Sequence, residues 1–318
     1  MNFILYEMTY LRYFLPLIIE GNKKGIKSFV YYGKNQKYNN PVKYLDDLAT
    51  FSSLYEFKLL ELIPCTLKNP TFFVEGEYCK NIICDKKISL TYMTDFRLSF
   101  EKYIDNIDYC VFPSRFFASL GGYQDHPKAV FYGSPKYDIK FDSVKILEKY
   151  NLPKKNKYIF MPMPRMRDCS NIDLNSICDI VRDIGFKVIT KTRGKDPYKI
   201  NSDYHFMDKS WFPHDSMELI YVSDMVINFS STITKEVLML KKKMLNFDIK
   251  PFPQRLIKFY QCKNFKNIDF DFNNHDLIKS NIKNLLAEEH DYHYYIKKFL
   301  STGNSSKRII NRLVLNEY

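Results

Sequence analysis

Short apolar runs alternate with longer amphipathic segments along the whole chain. Asn2–Tyr6, Lys27–Tyr32, Thr71–Val74, Ile88–Met93, Tyr109–Pro113 and Ala129–Tyr132 read as strands of the first half. The pattern restarts in the second half with Tyr158–Met161, Lys187–Thr190, Tyr204–Met207, Met225–Phe229 and Lys243–Asp248. Helices are expected near 141–150, 173–184, 214–222 and 232–241, and from Asp276 onward the pattern is purely helical. Tyr10–Lys24 reads as a helix closed by Gly25, with Pro16 kinking it or marking a late start. This alternation of strand and helix predicts an α/β fold with parallel sheets.

Tyr132-Gly133-Ser134-Pro135 ends a strand with glycine and proline, so the chain is expected to divide there into two Rossmann-like βαβ domains, 1–138 and 139–318. The length of 318 residues fits two domains of roughly 150, and 45% apolar residues supply a core for each. Two such domains face to face leave a central cleft lined by the carboxyl ends of both sheets, where open α/β folds bind ligands. Chemistry is therefore to be sought in loops that follow strands.

Charge and cysteines narrow the class. The chain carries a formal net charge of +12 and 16% aromatic residues. The first 140 residues hold +3 of that charge and the remainder +9. Seven cysteines, at 65, 79, 84, 110, 169, 178 and 262, include no CxxC pair. They fit neither a disulfide framework nor a structural zinc site, and are expected to be reduced thiols of a cytoplasmic protein. The most apolar N-terminal run, Tyr13–Ile19, lies between Arg12 and Glu20 and is too short for a membrane span. A basic, aromatic-rich surface suits peripheral contact with an anionic membrane. No nucleic-acid-binding motif accompanies the charge.

The richest window is Glu218–Asp248. Its strand MVINF runs into Ser230-Ser231-Thr232 and then a helix, so backbone N–H groups, hydroxyls and the positive helix end meet at one point, as a diphosphate requires. Glu236, about one helical turn on, is placed to accept hydrogen bonds from a ribose diol. The plainer alternative is that Ser231 caps a helix and Glu236 is a solvated helix residue.

The run SDMVINFSSTITKEVLMLKKKMLNFD resembles the C-terminal domain of GT-B glycosyltransferase-like proteins, with Lys243 in place of a usual proline. By similarity to the non-hydrolysing UDP-N-acetylglucosamine 2-epimerases, Ser230, Ser231 and Thr232 fall on the diphosphate loop and Glu236 on the ribose carboxylate. The order of motifs also resembles the CDP-glycerol glycerophosphotransferases of teichoic acid and capsule synthesis. The matching pieces are GSPKYD at 133–138, KYNLPKKNKYIFMPMPRMRD ending at Asp168, NFSS, and TGNSSKRI at 302–309. What these resemblances imply is a GT-B-like fold, a nucleotide-sugar or CDP-glycerol-like donor, and a glycan or lipid-linked acceptor.

Two histidines of the glycerophosphotransferase pattern are absent, since the corresponding places read LTYMTDF at 90–96 and KTRGKDP at 191–197. No histidine precedes His126. An inverting transferase then needs a carboxylate to take the acceptor proton. Candidates at strand ends are Glu7, Glu75, Glu77 and Asp95, with Asp95 ranked first and Glu7 second. Arg165, Arg167, Lys191, Arg193 and Lys195 follow the first two strands of the second half; Arg165 and Arg193 are the preferred donors to the nucleotide phosphates.

A resident metal is not expected. Asp269-Phe-Asp271 lies outside a nucleotide-binding context, and His290 and His293 lack a third ligand. The expected function is glycosyl transfer from a nucleotide-activated donor to a hydroxyl acceptor in surface glycan synthesis. Glycerol phosphate transfer, sugar-nucleotide 2-epimerisation and an inactive binding scaffold are the alternatives.

Overall fold

A computed structural model of the chain describes all residues except 34–39, 64–65, 92–101, 165–172, 193–198, 208–214, 232, 250–264, 270–273, 290, 301–302 and 318, and only the backbone at 248 and 265–269. The chain divides into two compact units, Met1–Ile139 with Lys297–Tyr318, and Lys140–Ile296. The C-terminal segment, expected in the second domain from chain order, thus belongs to the first unit.

Unit 1 is built on seven strands: β1 (Asn2–Leu5), β2 (Phe29–Tyr32), β3 (Lys58–Glu61), β4 (Thr66–Val74), β5 (Ile83–Leu90), β6 (Tyr109–Val111) and β7 (Ala129–Val130). Their order is β3-β2-β1-β4-β5-β6-β7, and every pairing is parallel. Unit 2 has β8 (Tyr158–Pro162), β9 (Lys187–Thr192), β10 (Tyr204–Met207), β11 (Met225–Phe229), β12 (Lys243–Asp248) and β13 (Phe265–Asp269), in the order β10-β9-β8-β11-β12-β13, again all parallel. Both sheets therefore start at a central strand, grow to one edge, and then restart on its other side. The restart lies between β1 and β4 in unit 1 and between β8 and β11 in unit 2.

Central strands of such sheets are apolar on both faces. All residues of β1 and β11 are buried, and Phe3 stacks on Phe72 of β4 with ring centres 5.1 Å apart. The helix Leu11–Lys23 covers sheet 1 with Leu11, Phe14, Leu15 and Ile18, runs through the buried Pro16, and ends beside Gly25 at φ +71°. In unit 2 the helix Leu174–Asp183 buries Leu174, Ile177, Cys178 and Val181, the spacing of one helical face. Each large side chain so buried contributes about 1.5–3 kcal/mol.

Two motifs distant in sequence close unit 1. The Asp138 carboxylate accepts from the Ser305 N–H at 3.1 Å and the Ser306 N–H at 2.5 Å, capping the helix Ser305–Ile309. Arg308 donates from Nε and Nη2 to the Tyr132 carbonyl at 3.1 and 2.9 Å. Gly133 lies between them at φ +90°, where a Cβ would stand 2.2 Å from Ser305 Oγ. The GSPKYD and GNSSKRI segments are thus the two halves of one intramolecular clasp. Among the described residues no helix is long and apolar enough to cross a membrane, and Cys79, Cys84, Cys110 and Cys178 are unbridged.

At the edge of sheet 2, Asp203 accepts from the Val188 N–H (2.9 Å), Lys187 Nζ (2.9 Å) and Arg182 Nε (3.2 Å). Burial opposes ionisation of Asp203, but the Val188 N–H and the two cations outweigh it and hold the carboxyl below its ordinary pKa.

Two outcomes are expected. Gly133→Ala, with both a forbidden φ and no room, should destabilise the protein by about 1–3 kcal/mol in urea unfolding, whereas Gly122→Ala, equally strained but with open space around it, should cost less. The Asp203 contribution is present above its unfolded pKa and lost as pH falls through its lowered folded pKa. The stability gap between wild type and Asp203→Asn should therefore be open at neutral pH and close below about pH 4; a gap of the same size at both pH values would contradict this.

Candidate functional site

The restart point of a parallel sheet is where the loops after two adjacent strands leave toward opposite faces, opening a crevice at their carboxyl ends. In unit 1 the loop after β1 carries Glu7, and the loop after β4 carries Glu75 and Glu77. Glu7 precedes a single 3-10 turn, Met8–Tyr10, and its Oε2 accepts from Thr9 Oγ1 at 3.2 Å. That turn carries Tyr10 to Glu77, where the phenol donates to Oε2 at 2.5 Å. Glu75 and Gly76 both have positive φ, +55° and +66°, so the chain reverses sharply after β4 and leaves Glu75 buried. Gly76 has no alternative, because a Cβ there would meet that of Tyr103 at 2.7 Å.

The three carboxylates act on one phenol. Burial first, then Glu77, and then Glu7 and Glu75 hold Tyr10 above its usual pKa, so it stays a protonated donor. Burial and the Glu75 charge likewise keep the Cys110 thiol protonated. Sequence reasoning singled out all three glutamates but not Tyr10, which it took as the first residue of a helix. The signal was a tyrosine three residues after Glu7, too common a spacing to stand out. Asp95 lies outside the described residues.

In unit 2 the chain leaves β11 at Ser230, which adopts φ +49°. Ser230 is buried, with its N–H donated to Asn246 Oδ1 at 3.1 Å and its hydroxyl to the Phe247 carbonyl at 3.3 Å. Ser231 is half-buried, and its carbonyl accepts from Asn228 Nδ2 at 3.3 Å and Thr234 Oγ1 at 3.1 Å. The helix begins at Thr234, with Glu236 buried in its first turn. Ser230 and Ser231 thus follow β11 directly, and Glu236 lies in the first turn of the helix after them. Thr232, Arg165 and Arg193 lie outside the described residues. Lys191, next to last in β9, forms an ion pair with Asp215 at 3.1 Å, both largely buried. Among the described residues no group of three or more metal-ligating side chains converges.

No model of a known protein family and no curated protein sequence matches the chain. Solved structures do match. The chain is similar to UDP-GlcNAc 2-epimerase from Neisseria meningitidis bound to UDP-GlcNAc, at 13% identity and a TM-score of 0.64 over 99% of each chain. It is similar to UDP-GlcNAc 2-epimerase from Methanocaldococcus jannaschii in complex with UDP-GlcNAc and UDP, at 11% identity and 0.58 over 99% of each chain. A variant of the wall teichoic acid polymerase TagF matches at 13% identity and 0.62, over 97% of this chain and 86% of that one. The fold is GT-B-like. At such identities the likeness establishes architecture, and both groups of neighbours belong to the fold class that the strand pattern and motif order implied.

A hydrogen bond to a charged acceptor contributes about 1.5–3 kcal/mol. In a double-mutant cycle, Tyr10→Phe and Glu77→Gln should accordingly be non-additive by at least about 1 kcal/mol in urea unfolding; additive effects would mean that the phenol and carboxylate do not act as a pair.

Proposed function

We propose that the protein is a GT-B-type transferase that moves a glycosyl unit from a nucleoside diphosphate sugar to a hydroxyl of a surface glycan or lipid-linked acceptor. The observation that carries this reading is the occupancy of both restart points. Carboxylates stand at one and a hydroxyl-rich turn followed by a buried glutamate at the other, in a chain whose full-length structural neighbours include proteins solved with UDP-GlcNAc and UDP.

In this reading unit 2 holds the donor. Ser231 and Thr232 face the diphosphate, Arg165 and Arg193 offset its charge, and Glu236 accepts from the ribose hydroxyls. The reaction breaks the bond between the sugar's anomeric carbon and the diphosphate oxygen and forms one to the acceptor oxygen. The acceptor proton passes to a carboxylate, for which Glu7 and Asp95 are the candidates. The negative charge that develops on the leaving diphosphate is met by fixed donors, and no resident metal is required.

One observation favours a second reading. Three glutamates around one restart point supply several of the acid and base groups that epimerisation of a sugar nucleotide needs, without any histidine. Such an enzyme would convert the donor with no acceptor present, which a transferase would not.

Purified protein should be stabilised by UDP or CDP and their sugar or glycerol conjugates, by about 2.7 kcal/mol at a hundredfold excess over Kd. Glu236→Ala should abolish most of that shift. Glu7→Gln should leave it intact while lowering turnover by about a hundredfold, the scale of general base catalysis, and turnover should survive chelators. Loss of nucleotide binding in Glu7→Gln, or full binding in Glu236→Ala, would contradict the assignment.

A further inference from the structure

The turn after β11 depends on two asparagines to which neither sequence patterning nor the proposed chemistry gives a role. Asn228 of β11 and Asn246 of β12 stand directly opposite each other in the parallel register, fully buried between apolar neighbours along each strand. The Asn228 amide donates to Asn246 Oδ1 at 2.8 Å, and the same oxygen accepts the Ser230 N–H at 3.1 Å. The second bond of the Asn228 amide goes to the Ser231 carbonyl. One amide pair therefore holds both the N–H that enters the turn and the carbonyl one residue further on. Reversing the Asn228 amide would set its oxygen against two acceptors, so the network itself fixes its orientation.

A polar pair at this place is not what packing alone would select. Two apolar side chains of the same shape would fill the space, but they would leave the buried Ser230 N–H without its acceptor, at a cost of about 1–3 kcal/mol. Ser230, moreover, carries a Cβ in a left-handed conformation that disfavours L-residues, and such a conformation persists only where its surroundings over-determine it. Here the surroundings are Asn246, Asn228 and the Phe247 carbonyl. With its N–H and hydroxyl both engaged inside unit 2, Ser230 has neither left to offer a ligand.

We propose that Asn246, supported by Asn228, is a positioning residue for nucleoside diphosphate binding, and that Ser230 is the turn former rather than a phosphate donor. The pair holds Ser230 left-handed and thereby sets the direction in which Ser231 leaves the strand toward the diphosphate. This rests on the proposed nucleotide site. It deepens that reading by dividing the serines into one that shapes the loop and one that faces the ligand.

The test is calorimetric titration of the full chain with UDP at neutral pH. Asn246→Leu should weaken UDP binding on the order of tenfold, the ratio corresponding to ~1.4 kcal/mol. Adding Ser230→Gly, which adopts positive φ without support, should recover most of that loss. Asn246→Asp keeps the acceptor and should bind UDP within about threefold of wild type; it carries the test if the leucine variant does not fold. Leu245→Val loosens the same strand's core without touching the turn, and should lower the melting temperature while leaving UDP affinity unchanged.

Wild-type affinity in Asn246→Leu, no recovery with Ser230→Gly, or equal losses in Asn246→Leu and Leu245→Val would each overturn the positioning role alone. Absence of UDP binding by the wild type would overturn the nucleotide reading and the positioning role together.

Discussion

The positions of the described candidate site residues follow from the way the parallel sheets grow. A parallel strand needs a crossover to reach its neighbour, and right-handed crossovers carry successive strands outward in one direction. When growth restarts on the far side of the first strand, two adjacent strands send their following loops to opposite faces, and the backbone groups at their carboxyl ends stand open. β1 and β4 form that pair in unit 1, and β8 and β11 in unit 2. Glu7, Glu75 and Glu77 emerge from the first pair, and Ser230 and Ser231 follow one strand of the second. Buried β1 and β11 supply the rigidity that fixes where those side chains begin.

Around each restart point, polar groups hold the backbone in conformations that the chain would not otherwise keep. In unit 1 the positive φ of Glu75 and Gly76 turns the chain back over Tyr10, whose phenol bridges to Glu77. In unit 2 the asparagine pair holds Ser230. The C-terminal segment is secured by the same physics at longer range, with Asp138 serving as an anion at the start of a short helix and Arg308 returning to the Tyr132 carbonyl. The terminal GNSSKRI segment thus has a structural explanation within unit 1, whatever the reaction.

How much of this was legible in the sequence depended on the apolar signal of each strand. β10, β11 and β12 have the bounds that their apolar runs imply, and β1, β8 and β9 begin where expected. The strands that escaped reading are those with little apolar signal. β3 is an edge strand of two leucines between Lys58 and Glu61, exposed along most of its length. The first half of β4 contains Asn69 and Pro70, where the register with β5 shifts, and proline argues against a strand in any local reading. β13 carries the first aspartate of a triplet weighed only as a metal motif. The helix Leu45–Leu54 buries just Leu48 and Phe51, too few positions to set a period.

The site was legible as residue types but not as roles. Acidic residues after strands and hydroxyls before a helix were singled out by type, and the described ones follow strands at the two restart points. Which serine shapes the turn was invisible, because Ser230 takes the conformation that glycine usually signals and its partner Asn246 lies sixteen residues away in what reads as an apolar strand. The destination of the last helix was equally hidden, since Asp138 and Ser305 are separated by 167 positions. Binding of a nucleoside diphosphate at the turn after β11 can be seen in a crystal structure of the protein soaked with UDP. The diphosphate should lie against Ser231 with the ribose hydroxyls on Glu236; UDP bound elsewhere, or no bound UDP at saturating concentration, would contradict this site.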